Sequence, residues 1–173
     1  MDGAISVVSE RSFEELVCSQ KQRVFGYLRR VTGETAASEE LALEVFTRAS
    51  RLRAARPGLR PELWLLRLAT DAVLSRSLRP SPFWPWRGRR RAPAHFCPAP
   101  EPPAAGLPEQ VEQALRTLPV ELRIALVLHD VERLSAAEAA EAAGCTPEEI
   151  RRRVSEARAR LRPVLYSGVS GGV

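Results

Sequence analysis

Apolar residues recur along this chain every three or four positions, the spacing that puts them on one side of an α-helix. Phe13, Leu16, Val17, Val24, Leu28 and Val31 make the first such stripe. Ser12 and Glu15 stand three apart at its head, the spacing of a capping box, and Gly33 ends it. A second helix is predicted from about Ala36 to Ala54, with Leu41, Val45, Ala49 and Leu52 on one face, before a turn at Pro57-Gly58. Pro61 opens a third, carrying Leu63, Leu66, Ala69, Val73 and Leu78, and Pro80-Ser-Pro82 stops it. Pro108 starts a helix with Val111, Leu115 and Leu118, and Pro119 one with Leu122, Ala125 and Leu126, closed by His129. No stretch alternates with the period of a strand, so the expected fold class is all-α.

The sharpest pattern lies between Ser135 and Leu161. Ser135 with Glu138 and Thr146 with Glu149 have capping-box spacing. Pro147 suits the first position of a helix, and Gly144 suits a left-handed stop after the one before. Ala139, Ala140 and Ala143 allow close approach of a neighbouring helix. Ile150, Val154, Ala157 and Leu161 form the inward stripe of the last helix. A short alanine-rich helix, a glycine turn and a long arginine-rich helix make a helix-turn-helix signature. The competing interpretation is an αα-hairpin with a solvated outer face.

Residues 80–108 interrupt the helical patterns. They hold nine of the 14 prolines, Trp84, Trp86 and the arginines of Arg87 to Arg91, which predicts an extended linker. The expected organisation is therefore two small helical domains, 12–79 and 109–165, joined by the linker 80–108, with flexible ends at 1–11 and 166–173. Net charge is +5, but 25 of 26 basic residues are arginine, a compositional bias that lowers its weight. Distribution says more. Residues 109–165 carry nine basic and ten acidic residues, yet six of the arginines lie between Arg151 and Arg162. Such polarisation offers one face to phosphate. Cys18, Cys97 and Cys145 are far apart, which fits a reducing cytoplasm rather than a disulfide framework. His95 beside Cys97 is too small a set for a zinc site. Neither a signal sequence nor an apolar run of membrane-spanning length is apparent.

Three stretches resemble bacterial RNA polymerase sigma factors of the extracytoplasmic-function type, in the sigma-70 family. They are SEELALEVFTRASR (38–51), ELWLLRLATDAVLSRSLR (62–79) and residues 114–162, which resemble that family's C-terminal domain. The resemblance implies a sigma-2-like domain that docks on core polymerase through Glu40, Leu41, Glu44, Val45 and Phe46. It implies that Trp64, Arg67, Asp71, Arg76 and Arg79 meet the minus-ten element as it opens. It implies a sigma-4-like domain whose last helix meets the upstream element through Thr146, Glu148, Arg151, Arg152, Arg153, Ser155 and Arg158. Ile150, Leu161 and Arg162 also match the family pattern. Glu40, Leu43, Asp71, Ser75 and Glu156 depart from it. Asp71 puts a negative charge where an amide would be neutral, beside a site for single-stranded DNA.

Arg152 is the leading candidate for a base contact, because arginine bonds guanine bidentately. Arg151, Arg153 and Arg158 flank it at positions suited to phosphate. No nucleophile–base pair, carboxylate dyad, phosphate loop or metal cluster argues for catalysis. The expected function is an alternative sigma factor with no cofactor and no small-molecule substrate. Its expected partners are core RNA polymerase, promoter DNA and an anti-sigma factor. The alternatives are a sigma-like regulator that does not open promoters, and a plain helix-turn-helix regulator.

Overall fold

The computed structural model describes residues 10–52, 60–77 and 108–167; among them every regular element is helical. Helices α1 (Glu10–Thr32), α2 (Thr35–Leu52) and α3 (Pro61–Ser77) pack on one another. Helices α4 (Glu109–Arg116), α5 (Val120–Leu126), α6 (Ala136–Ala143) and α7 (Pro147–Ser167) form a second group, with a π-helical turn at Val127–Val131. The two groups meet chiefly where α6 lies on α3 and where α1 touches α4 and the π turn. One continuous apolar core runs through both.

The predicted breaks hold where they are described. Gly33 takes φ +77° and donates to the Arg29 carbonyl at 2.8 Å, which ends α1. Pro108 and Pro119 stand just before α4 and α5. Two expectations need correction. Helix α1 begins at Glu10, so Ser12 lies within its first turn and does not precede it. Nothing between Glu10 and Ser12 breaks a helix. Helix α7 runs through Pro163 to Ser167, beyond the expected boundary at 165. Ala159, whose carbonyl Pro163 cannot satisfy, is solvent-exposed, so that loss is covered by water. The expectations for Pro57-Gly58, Leu78, Arg79 and the segment 80–107, with His95 and Cys97, lie outside the described residues.

Helix α3 is the centre of the fold. It buries Leu63, Trp64, Leu65, Leu66, Leu68, Ala69, Thr70, Ala72 and Val73, which leaves it only a narrow, partly exposed edge at Arg67, Asp71 and Ser75. Its buried hydroxyl is satisfied: Thr70 donates to the Leu66 carbonyl at 2.9 Å and accepts from Tyr27 at 2.8 Å. Burial pushes the Tyr27 phenol far above its ordinary pKa, so it stays a neutral donor. Helix α6 is wedged between α3 and α7. Ala139, Ala140, Ala142 and Ala143 are all buried, and only small side chains let a helix approach two neighbours at once.

Candidate nucleic-acid interface

The helix-turn-helix is set by local chemistry. The Ser135 hydroxyl accepts from the Glu138 amide at 3.2 Å, and the Ser135 amide donates to Glu138 Oε2 at 2.8 Å, so the first box is complete. Gly144 follows α6 at φ +70° and donates to the Ala140 carbonyl at 2.7 Å. Thr146 Oγ1 accepts from the Glu149 amide at 3.2 Å, half of the second box. The Glu149 carboxylate turns to arginines instead. Ile150, Val154, Ala157 and Leu161 are buried as the stripe predicts.

That packing turns Glu148, Arg151, Arg152, Ser155, Arg158 and Arg160 to solvent. Ion pairs link most of these charges. Arg152 donates to Glu149 through Nε at 3.0 Å and Nη2 at 2.8 Å, and to Glu156 through Nη1 at 3.3 Å. Arg153 Nε reaches Glu149 at 2.7 Å, Arg160 reaches Glu156 at 2.8 Å, and Arg151 reaches Glu148 at 3.1 Å. The Arg152 hydrogen bonds, joined by Arg153 and working against desolvation, hold Glu149 down to about 2. Arg153 is the least exposed of these arginines, its side chain 25% exposed. Arg158 donates twice to Asp130, at 3.0 and 2.6 Å, and so ties α7 to the π turn. His129 Nδ1 sits 2.6 Å from the same carboxylate. Burial raises the Asp130 pKa, but the hydrogen bonds from Arg158 and His129 prevail and leave it below the usual carboxylate value.

The N-terminal candidates divide between surface and interior. On α2, Glu40 and Glu44 are exposed and Phe46 is half-buried, but Leu41 and Val45 are 2% and 1% exposed. Those two hold the fold together and are not available to a partner in this state. Leu43 and Leu52 supply the outward apolar surface near Phe46. On α3, Trp64 is 3% exposed, so the expectation that it meets a DNA strand does not hold in this arrangement. Arg67 Nε pairs with Asp71 at 3.2 Å, and its Nη1 donates to the Glu141 carbonyl of α6 at 3.3 Å. Arg76 is exposed and pairs with Glu40 at 3.1 Å. Among the described residues no group of three or more His, Cys, Asp and Glu side chains gathers as a metal site would need. No described helix is long and apolar enough to cross a membrane.

Residues 108–161, which hold this helix-turn-helix, match the family model "Sigma-70, region 4". That segment is similar to region 4 of the sigma-70 family. The chain is 32% identical over 170 residues to the ECF RNA polymerase sigma factor SigE of Mycolicibacterium smegmatis, an alignment covering 89% of this chain. The chain spans 62% of that relative's length. Its fold is similar to the sigma factor RpoE solved with the anti-sigma factor NepR from Bartonella quintana, with TM-score 0.69, 21% identity, and 90% and 98% of the two chains covered. It is also similar to CnrH solved with the cytosolic domain of CnrY, with TM-score 0.62, 22% identity, and 92% and 90% covered.

Region 4 is joined to α1–α3 by pairs that the sequence reading did not assign. Arg23 meets Glu132 at 2.7 Å and Arg30 meets it at 3.7 Å. Arg29 meets Glu112 at 3.6 Å, and Arg60 pairs with Glu138. Three acids of region 4, Glu112, Glu132 and Glu138, therefore meet the arginines of α1 and Arg60 at the α3 start. At the turn, a Cβ on Gly144 would overlap the Arg67 guanidinium. Gly144→Ala should thus cost about 1–2 kcal/mol for the left-handed backbone, plus the displacement of Arg67. A double-mutant cycle with Arg67→Ala measures that second part by thermal unfolding. Strict additivity would show that the Arg67 contact carries no energy.

Proposed function

We propose that the chain is an alternative sigma factor that binds core RNA polymerase and directs promoter-specific initiation, without catalysis of its own, in a cytoplasmic setting. The observation that carries this is the α6–α7 unit: a complete cap, a left-handed glycine turn, and a helix whose exposed face presents arginines at its N-terminal half. A helix held in that way enters the major groove with its first residues toward base edges. In this reading Arg152 contacts a base, while Arg151, Arg153 and Arg158 hold phosphates once released from their carboxylates. Thr146, Glu148 and Ser155 border the same edge. Residues 12–79 and 109–165 act as the two functional domains. Glu40, Glu44, Phe46 and Leu43 present the docking surface for polymerase. Arg67, Arg76 and Arg79 face the opened strand after α6 has moved off α3, and an anti-sigma factor is a further partner.

Run-off transcription with purified core polymerase tests the proposal, and specific transcripts are the expected result. A second reading has its own support. Arg67 is held by Asp71 and by α6, which favours a sigma-like regulator that binds polymerase but leaves the duplex closed. Co-purification with core polymerase and no transcript would select it. Arg152→Ala should relax base preference at one upstream position by about 1–3 kcal/mol. Equal weakening on all duplexes, measured by anisotropy, would reassign Arg152 to phosphate.

A further inference from the structure

On α7 the geometry points to Glu149 as a positioning residue that presents Arg152 for base readout. This rests on the reading of Arg152 given above. A guanidinium carries five N–H donors: one on Nε and two on each terminal nitrogen. Glu149 takes Nε and one hydrogen of Nη2 side-on, through both carboxylate oxygens, at 3.0 and 2.8 Å. Glu156 takes one hydrogen of Nη1 at 3.3 Å. One hydrogen therefore remains on each terminal nitrogen. With Glu156 on the Nη1 hydrogen nearer Cδ, the two that remain stand side by side, as the O6 and N7 acceptors of guanine require. The Arg152 side chain is 62% exposed, so that end of the fork is open to a ligand.

Glu149 is itself held from three sides. Its amide donates to Thr146 Oγ1, its Oε1 also accepts from Arg153 Nε at 2.7 Å, and it lies in the first turn of α7, where the helix dipole favours a carboxylate. The chain Arg153–Glu149–Arg152–Glu156–Arg160 thus forms one network along the helix. Networks of this kind restrict side chains in a way that isolated surface pairs do not. A free arginine loses much rotamer freedom when it docks, and one already clamped loses less. The same carboxylate repels phosphate, so Glu149 trades general affinity for discrimination.

Glu149→Gln in the full-length protein tests this. Glutamine keeps the size and helix propensity of the residue but gives up the ion pairs and the favourable helix dipole, so a small drop in the unfolding midpoint is expected, and binding is compared well below both midpoints. The probes are four duplexes differing only at the base pair where Arg152→Ala alters preference. With Glu149→Gln, discrimination among the four should fall roughly tenfold, while affinity for an unrelated duplex rises. In the free protein, nitrogen relaxation at Arg152 Nε should report a more mobile side chain. If Glu149→Gln strengthens all four duplexes equally and keeps their ratio, Glu149 only neutralises Arg152 and the inference is overturned. Should Arg152→Ala leave base preference intact on every duplex, the Arg152 reading fails first, and this inference with it.

Discussion

Replacing Arg123 by methionine is expected to lower stability by about 3–5 kcal/mol, taking about 1–3 kcal/mol for each stranded carbonyl and discounting for partial access of water. Arg123 lies on α5 with its guanidinium turned to the end of α1 and to the α4–α5 connection. Nη1 donates to the Val31 carbonyl at 2.6 Å, and Nη2 donates to Arg116 at 2.9 Å and to Leu118 at 2.8 Å. The Val31 oxygen is one of the last of α1, and the other two close the α4–α5 connection; such carbonyls have no partner within their own helix. Burial, and then the neighbouring Arg116 charge, pulls the Arg123 pKa below its ordinary value, yet no other side chain supplies so many donors from one point. Its Nε has no partner among the described residues. Methionine fills a similar volume and supplies none of these bonds. The loss is a large share of the roughly 5–15 kcal/mol that holds a domain folded. Circular dichroism should show a midpoint lower by roughly 10 °C or more. Arg116→Met, on the exposed side of the same junction, should change stability by less than about 0.5 kcal/mol. Equal losses in the two variants would mean that Arg123 acts through charge alone.

The position of Arg123 has a wider consequence. Val31 belongs to the N-terminal helices and Arg116 and Leu118 to region 4, so one side chain satisfies both. Together with the α3–α6 packing and the Arg23–Glu132 and Arg60–Glu138 pairs, it makes the two groups one folding unit in this arrangement. If α3 meets DNA as proposed, α6 has first to leave it, and the energy of this junction would set how readily that happens.

The sequence made the helices legible because their breaks are local. Gly33, Pro61, Pro108, Pro119, Gly144 and Pro147 each act through their own backbone, and the inward stripe of α7 follows from its spacing. What it hid was long-range. Arg123, in a short helix after a proline, looks like any solvated arginine. Glu132 and Glu138 carry no mark of facing Arg23 and Arg60 across a hundred or so residues of chain. Most of the α7 residues expected to meet DNA are exposed, as their spacing implies, but whether a charge is free or paired depends on neighbours at i±3 and i±4, and spacing alone weights these pairs too lightly. Helix α3 could have been read better. Its run LWLLRLATDAVL is apolar on every side but the one that carries Arg67 and Asp71, the mark of a helix largely enclosed by others, and Trp64 lies within the apolar part.

Trp64 supplies the other large effect. Trp64→Ala is expected to cost about 3–5 kcal/mol of folding stability, the range for deleting a buried aromatic side chain. The side chain is 3% exposed in a helix that packs against α1, α2, α5 and α6, so the void left behind is walled by several elements and closes poorly. Arg67→Ala, three residues on, removes a partly exposed side chain, its 3.2 Å ion pair with Asp71 and a 3.3 Å bond to the Glu141 carbonyl, and should cost about 1 kcal/mol. The two substitutions separate a fold role from a DNA role within one helix. Chemical denaturation should move the Trp64→Ala midpoint strongly at unchanged slope, while Arg67→Ala stays close to the parent. A Trp64→Ala protein as stable as the parent, but deficient in strand opening by permanganate reactivity of promoter thymines, would return Trp64 to the DNA-facing role that its position in the family suggests. It would also mean that α3 turns about its axis when α6 withdraws.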